Sequence, residues 1–143
     1  MTQGETLLSL FGEVIHQYSR ADALRDGVLV ELPADLCREA GVVVPVAVTG
    51  EVWHLIDPGN LDRVPGQSVP GRAWDLLWTF ANAARSSGGR HRSTVAFRCL
   101  FLMCREAMGG AEITERRTAT LRAVCGPGDQ GEPVITIMLP WED

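Results

Sequence analysis

The sequence contains no lysine, and all thirteen of its basic residues are arginine. Schiff-base and lysine-nucleophile chemistry are therefore excluded. Its four cysteines, Cys37, Cys99, Cys104 and Cys125, form neither a CxxC pair nor a Cys/His spacing. They read as reduced, buried small hydrophobes, with no metal site expected. Cys99 and Cys104 fall on opposite faces of one expected strand, so they do not pair with each other. No apolar run approaches the roughly 20 residues of a membrane span. The opening Met1-Thr2-Gln3-Gly4-Glu5 lacks the basic flank of a signal peptide, which points to the cytoplasm. Histidine is sparse as well. His16, His54 and His91 lie far apart and read as locally hydrogen-bonded rather than as one catalytic or metal group.

At 143 residues, 45% of them hydrophobic and four of them tryptophan, the chain suits one domain over 1–143 with a substantial core. The net charge of −5 is unevenly distributed. Residues 1–60 carry nine acids against three arginines, residues 61–125 carry ten arginines against five acids, and residues 126–143 carry four acids and no base. A basic middle between acidic ends pairs internally on folding or presents a polar surface to a partner.

The clearest secondary-structure signal is a β-hairpin over residues 118–139. Ala119, Leu121, Ala123 and Cys125 alternate with Thr118, Thr120, Arg122 and Val124, the period of a half-buried strand. Residues 126–133, rich in glycine and proline, force a turn. Residues 134–139 are apolar on both faces, as in an interior strand. The strongest helix covers residues 71–85. Trp74, Leu77, Trp78 and Ala81 form one apolar stripe, and Ala73, Leu76, Phe80 and Ala83 a second. Arg72, Asp75, Thr79, Asn82 and Ser86 are left as a narrow wet face. Such a helix should lie buried across a sheet, with both indoles hidden beneath it.

Residues 94–103 predict a strand with Val95, Phe97, Cys99, Phe101 and Met103 inward and Arg98 on the other side with Ala96 and Leu100. Residues 105–115 read as a connecting loop. Earlier in the chain, residues 6–11 read as a helical turn or arm and residues 13–18 as a short strand. Ser19 caps a short helix that Gly27 stops; residues 28–32 follow as a strand and 33–40 as a second short helix. Pro45 argues against an interior position for residues 42–48. Thr49 is an N-cap candidate for a helix over 50–56, and residues 57–70 read as a long irregular connection. The expected fold is α+β: a mostly antiparallel sheet, one long packed helix and several short ones.

No stretch carries a specific catalytic motif. The 126–133 turn has the composition of a phosphate loop but feeds a strand, not a helix N-terminus. Asp129, Glu132, Glu142 and Asp143 offer oxygens to a hard cation but lack the spacing of a calcium loop. Ser19, Ser68 and Ser93 have no nucleophile-elbow context. Arg85, Arg90 and Arg92 form a basic loop able to touch the phosphates of a nucleic acid, a weak footprint in an acidic protein. The most distinctive polar stretch is Tyr18-Ser19-Arg20-Ala21-Asp22-Ala23-Leu24-Arg25-Asp26-Gly27. It reads either as a capped amphipathic helix with exposed charge pairs or as a recognition surface.

Several segments together, Phe11-Gly12-Glu13-Val14-Ile15-His16, Tyr18-Ser19-Arg20-Ala21, Asp26-Gly27-Val28-Leu29-Val30, Pro45-Val46-Ala47-Val48-Thr49, Trp74-Asp75-Leu76-Leu77-Trp78 and Gly126-Pro127-Gly128-Asp129 with Pro133-Val134-Ile135-Thr136-Ile137-Met138-Leu139-Pro140, carry a resemblance. They are similar to a family of small proteins of unknown function found in bacterial plasmids, phages and integrated mobile elements. The resemblance implies no catalytic residue and no cofactor. It implies genomic company, since accessory proteins of mobile elements often bind host or defence proteins. The expectation is therefore a small non-enzymatic binding protein with a protein partner, no membrane association, and a homodimer as a compatible assembly. The alternative is an enzyme or ligand-binding module with a cleft between residues 18–26 and 126–133. Its candidate binding residues are Tyr18, Arg20, Asp22, Asp26, Asp129 and Glu132.

Overall fold

Local capping chemistry sets the first element. The Ser19 hydroxyl accepts the Asp22 amide at 3.0 Å while the Asp22 carboxylate accepts the Ser19 amide at 3.2 Å, a reciprocal capping box. Helix α1, Arg20–Arg25, follows and ends where Gly27 turns to positive φ. The computed structural model describes residues 18–86 and 93–143. The expectations for residues 6–11 and 13–17, and for His16, Arg90, His91 and Arg92, lie outside the described residues.

The remaining elements in order are β1 (Leu29–Glu31), α2 (Ala34–Glu39), β2 (Val46–Thr49), α3 (Gly50–Ile56), a 3₁₀ turn (Leu61–Arg63), α4 (Val69–Ser86), β3 (Thr94–Glu106), β4 (Glu112–Pro127) and β5 (Pro133–Met138). They build one five-stranded sheet in the order β1-β2-β5-β4-β3. Pairing is antiparallel except between β2 and β5, which run parallel with Val46, Ala47 and Val48 opposite Ile135, Thr136 and Ile137. The α+β architecture with a mostly antiparallel sheet and one long helix is as expected. The β4–β5 hairpin is present, with Arg122 opposite Met138 and Pro127 opposite Pro133, and β5 is the central strand.

Four local expectations are corrected. Strand β2 is interior and buried throughout despite Pro45. The proline precedes its first residue, where no ladder amide is needed, and its carbonyl accepts the Ile135 amide at 2.9 Å. Residues 105–115 are not a loop. β3 and β4 pair without interruption from Thr94 opposite Val124 to Glu106 opposite Glu112, and only residues 107–111 turn. Threonines, Ile113 and the 2.8 Å Arg105–Glu115 ion pair support the outer part of this ribbon. Residues 57–70 are not structureless, since they hold the 3₁₀ turn, a fully buried Val64 and the first turn of α4. That helix starts at Val69, its Gly71 amide capped by the Ser68 hydroxyl at 3.1 Å.

The fourth correction concerns α4. Ala73, Leu76, Leu77, Phe80 and Ala81 face the core, and Phe80 meets Phe97 with ring centroids 5.8 Å apart. Trp74, however, is half-buried and Trp78 is 49% exposed, the two rings stacked at 6.1 Å. Trp78 is not hidden beneath the sheet, because the helix buries its Leu76–Phe80 side instead. Arg72, assigned to the wet face, is 2% exposed. Cys37 and Cys99 are buried as expected, Cys104 is half-buried, and Cys125 is exposed at the sheet's end.

The odd-numbered side chains of β3, β4 and β5 enter the core with α4. On the opposite face, α1 lies over β5, its Arg20 guanidinium donating to Thr136 Oγ1 at 2.7 Å. The same face of β3 and β4 carries no described helix.

Candidate functional site

The sequence pointed to a cleft between residues 18–26 and 126–133, and the structure does bring these segments together. Tyr18, Ser19, Arg20, Ala23 and Leu29 from one side meet Pro127, Gly128, Asp129 and Gln130 from the other, around an open cavity of about 730 Å³. The chemistry there is turned inward. Asp129 Oδ1 and Oδ2 accept the Arg20 and Ala21 amides at 2.8 and 3.0 Å, so its carboxylate completes the N-terminus of α1. Arg20 donates to Thr136 Oγ1 and to the Ile135 carbonyl at 3.0 Å. Burial lowers its pKa, opposed by Glu31, Asp129 and Glu132.

The other candidates are likewise engaged. Tyr18 donates to Asp26 Oδ2 at 3.1 Å, and desolvation, then this bond, raises its phenol. The Ser19 amide and hydroxyl hold Asp22 below the usual carboxylate range. Arg25 bridges Asp22 at 3.0 Å and Asp26 at 3.5 Å. Glu132 bonds within its own turn, where its Oε2 accepts the Gln130 amide at 2.9 Å. A Cβ at Gly128 would come within 1.9 Å of Glu132 Oε1, so glycine there lets the carboxylate fold over the turn. The carboxylates considered for a cation are dispersed, since Glu142 Oε1 accepts from Thr49 Oγ1 at 2.8 Å and the Leu139 amide at 2.9 Å. No group of three or more His, Cys, Asp or Glu among the described residues is placed to hold a metal ion.

Arg72 is the polar residue that the sequence misplaced. Its guanidinium donates to the Ile56, Leu55 and Leu102 carbonyls at 3.1, 2.6 and 2.7 Å and to Gln67 Oε1 at 3.1 Å. No carboxylate among the described residues pairs with it, and burial lowers its pKa. These bonds tie α4 to the C-terminus of α3 and to β3, so Arg72 is a strut within the core. One signal was present: Arg72 stands four residues before Leu76 and eight before Phe80, on the buried stripe.

Two further surfaces among the described residues carry unengaged groups. The first is the open face of β3 and β4, where side chains of even number point away from α4. It carries Arg98, Leu100, half-buried Leu102 and, across the ladder, Arg116, Thr118 and Thr120, with Leu100 53% exposed. From residue 94 to 104 and from 114 to 124 this face has no acidic side chain. Arg98 and Arg116 make no ion pair with any described residue. Arg122, at its inner margin, is tied to Met138 Sδ at 3.0 Å and to the Glu142 carbonyl. Arg85 bonds Asn82 Oδ1 at 3.2 Å at the end of α4.

The second surface is a groove of about 450 Å³ on the α4 side of the sheet. Glu51, His54 and Leu55 of α3, residues 139–141, Met103 and residues 117–120 of β4 line it. Trp141 stands 77% exposed at its rim.

A family profile matches residues 9–143, and its description is a family of unknown function, DUF6573. No curated protein matches the chain, and no solved structure does. No described helix is long and apolar enough to cross a membrane.

Proposed function

The chain belongs to this DUF6573 family, and from that footing we propose that it is a small non-enzymatic binding protein of a mobile genetic element, acting on a host or defence protein. The observation that carries the reading is the open face of β3 and β4. Exposed Leu100 sits between Arg98 and Arg116, which have no partner among the described residues, on a protein that is acidic overall. Apolar area framed by arginine is the composition of an interface core, and an acidic partner surface complements it. The mobile-element setting rests on the sequence resemblance alone.

Co-purification from host lysate at physiological salt tests the reading. The wild-type chain should retain a stoichiometric protein, and Arg98→Glu with Leu100→Asp should lose it while keeping the fold. Absence of a stoichiometric protein across several hosts, or retention by that variant, counts against it.

A second reading keeps the concavity of Tyr18, Arg20 and Asp129 as a ligand site, because the two predicted segments do converge. A thermal-shift screen with nucleotides and metals addresses it. A rise abolished by Asp129→Ala supports it, and a flat profile removes it.

A further inference from the structure

Strand β4 is sixteen residues long and its inner neighbour β5 only six, so the two are paired only from Arg122 onward. β5 stops because Pro140 has no amide to extend the ladder, and the chain turns there with the Glu142 amide on the Leu139 carbonyl at 3.0 Å. Antiparallel geometry then fixes which β4 groups are left over. The Cys125 amide donates to Ser93 on the β3 side, and Gly128 donates to Glu132 on the β5 side. Registers on both sides run without a bulge, so odd residues of β4 bond to β3 and even ones face β5. Beyond the end of β5, the amides and carbonyls of Thr114, Arg116, Thr118 and Thr120 face a side on which no described strand lies. Thr118 and Thr120 of this row line the 450 Å³ groove, and the row continues along the strand past it to Thr114.

We infer that the groove takes an extended peptide segment of a protein partner, added as a strand along residues 114–120 of β4, with apolar side chains alternating with acidic ones. An unpaired edge supplies affinity through main-chain hydrogen bonds and register through alternate side-chain pockets. Leu55, Met103, Leu139 and Trp141 offer an apolar seat for the inward side chains. The nearby charges set the polarity. Arg63 and Arg105 are held by Glu112 and Glu115 at 2.8 Å each, whereas Arg116 and Arg117 pair with no described residue. Glu51 stands on the opposite wall with His54, so the peptide's carboxylates belong at the Arg116–Arg117 end. The inference deepens the binding reading by naming the partner's chemistry, and it rests on that reading.

The test is selection of displayed random peptides of about ten residues on the full chain, followed by amide hydrogen exchange. Enriched peptides should alternate apolar and acidic residues. Their binding should slow exchange at Thr114, Arg116, Thr118 and Thr120, whose amides should exchange fast in the free protein. Arg117→Glu should weaken binding about tenfold. Thr118→Pro removes an outward amide without touching the β3 ladder, so it should abolish binding with little change in thermal midpoint. No enrichment, protection at other amides, unchanged affinity in both variants, or a dimer that already protects these amides overturns the inference. A host protein held by both variants but lost with Arg98→Glu/Leu100→Asp removes the groove assignment and leaves the binding reading standing. Loss of that reading shows instead as the absence of any stoichiometric host protein.

Discussion

The guanidinium carbon of Arg72 lies 5.2 Å from the centroid of the Phe101 ring, in a core where carbonyl oxygens, and no carboxylate among the described residues, meet it. A buried cation held this way couples the helix that carries it to every element whose carbonyl it satisfies. Arg72→Ala leaves three carbonyls without their donor and should destabilise the fold by about 3–5 kcal/mol. Arg72→Lys keeps the charge but loses the planar fork, and a loss of about 2 kcal/mol is expected. Urea unfolding followed by tryptophan fluorescence measures both.

Asp129 reaches across 109 residues to cap Arg20. Asp129→Ala should cost about 1 kcal/mol, the scale of a lost helix cap. Amide exchange at Arg20 and Ala21 should quicken while the β4 amides paired with β3 remain protected. A substitution without effect on those two amides would contradict the capping role.

The capping box also sets an acid limit. The Ser19 amide and hydroxyl hold the Asp22 pKa below its ordinary 3.8. A depressed carboxylate stabilises the fold above the unfolded pKa, and that stability is lost as pH falls through the folded one. Carboxyl chemical shifts should show Asp22 titrating below 3.8, and Ser19→Ala should move the midpoint upward.

Cysteine chemistry divides by position. Cys125 is exposed and should alkylate first in the native protein, with Cys37 and Cys99 protected until unfolding. Burial pushes the Cys99 thiol from 9.0 up to about 11. A raised thiol pKa gives stability that is complete below 9 and is lost as pH rises through 11. Unfolding at several alkaline pH values should show that decline, and Cys99→Ala should flatten it.

The elements readable from sequence were those with short-range causes. The hairpin of β4 and β5, the Ala73, Leu76 and Phe80 stripe of α4, and the Ser19 and Thr49 caps each follow from a spacing of a few residues. The place of Arg72 on the buried stripe was readable, but its hydrogen-bond partners Leu55, Ile56 and Leu102 were not, because they come from other elements. The outer half of the β3–β4 ribbon lacked a signal too. Both faces there are polar enough that no apolar alternation marks a strand. The polar candidates Tyr18, Arg20, Asp22, Asp26 and Asp129 lie near one another. That their valences close on one another depends on register and reach, which spacing does not disclose. Pairing between β2 and β5 joins segments nearly ninety residues apart, beyond any local pattern.

That parallel pairing has a bearing on biosynthesis. β5 is the keystone between β1–β2 and the β3–β4 ribbon, and it leaves the ribosome after both. Until it pairs, β1–β2 and the β3–β4 ribbon are two separate pieces with open strand margins. Closure of the sheet is then a late, long-range event, which slows folding and makes the nascent chain a natural client for chaperones.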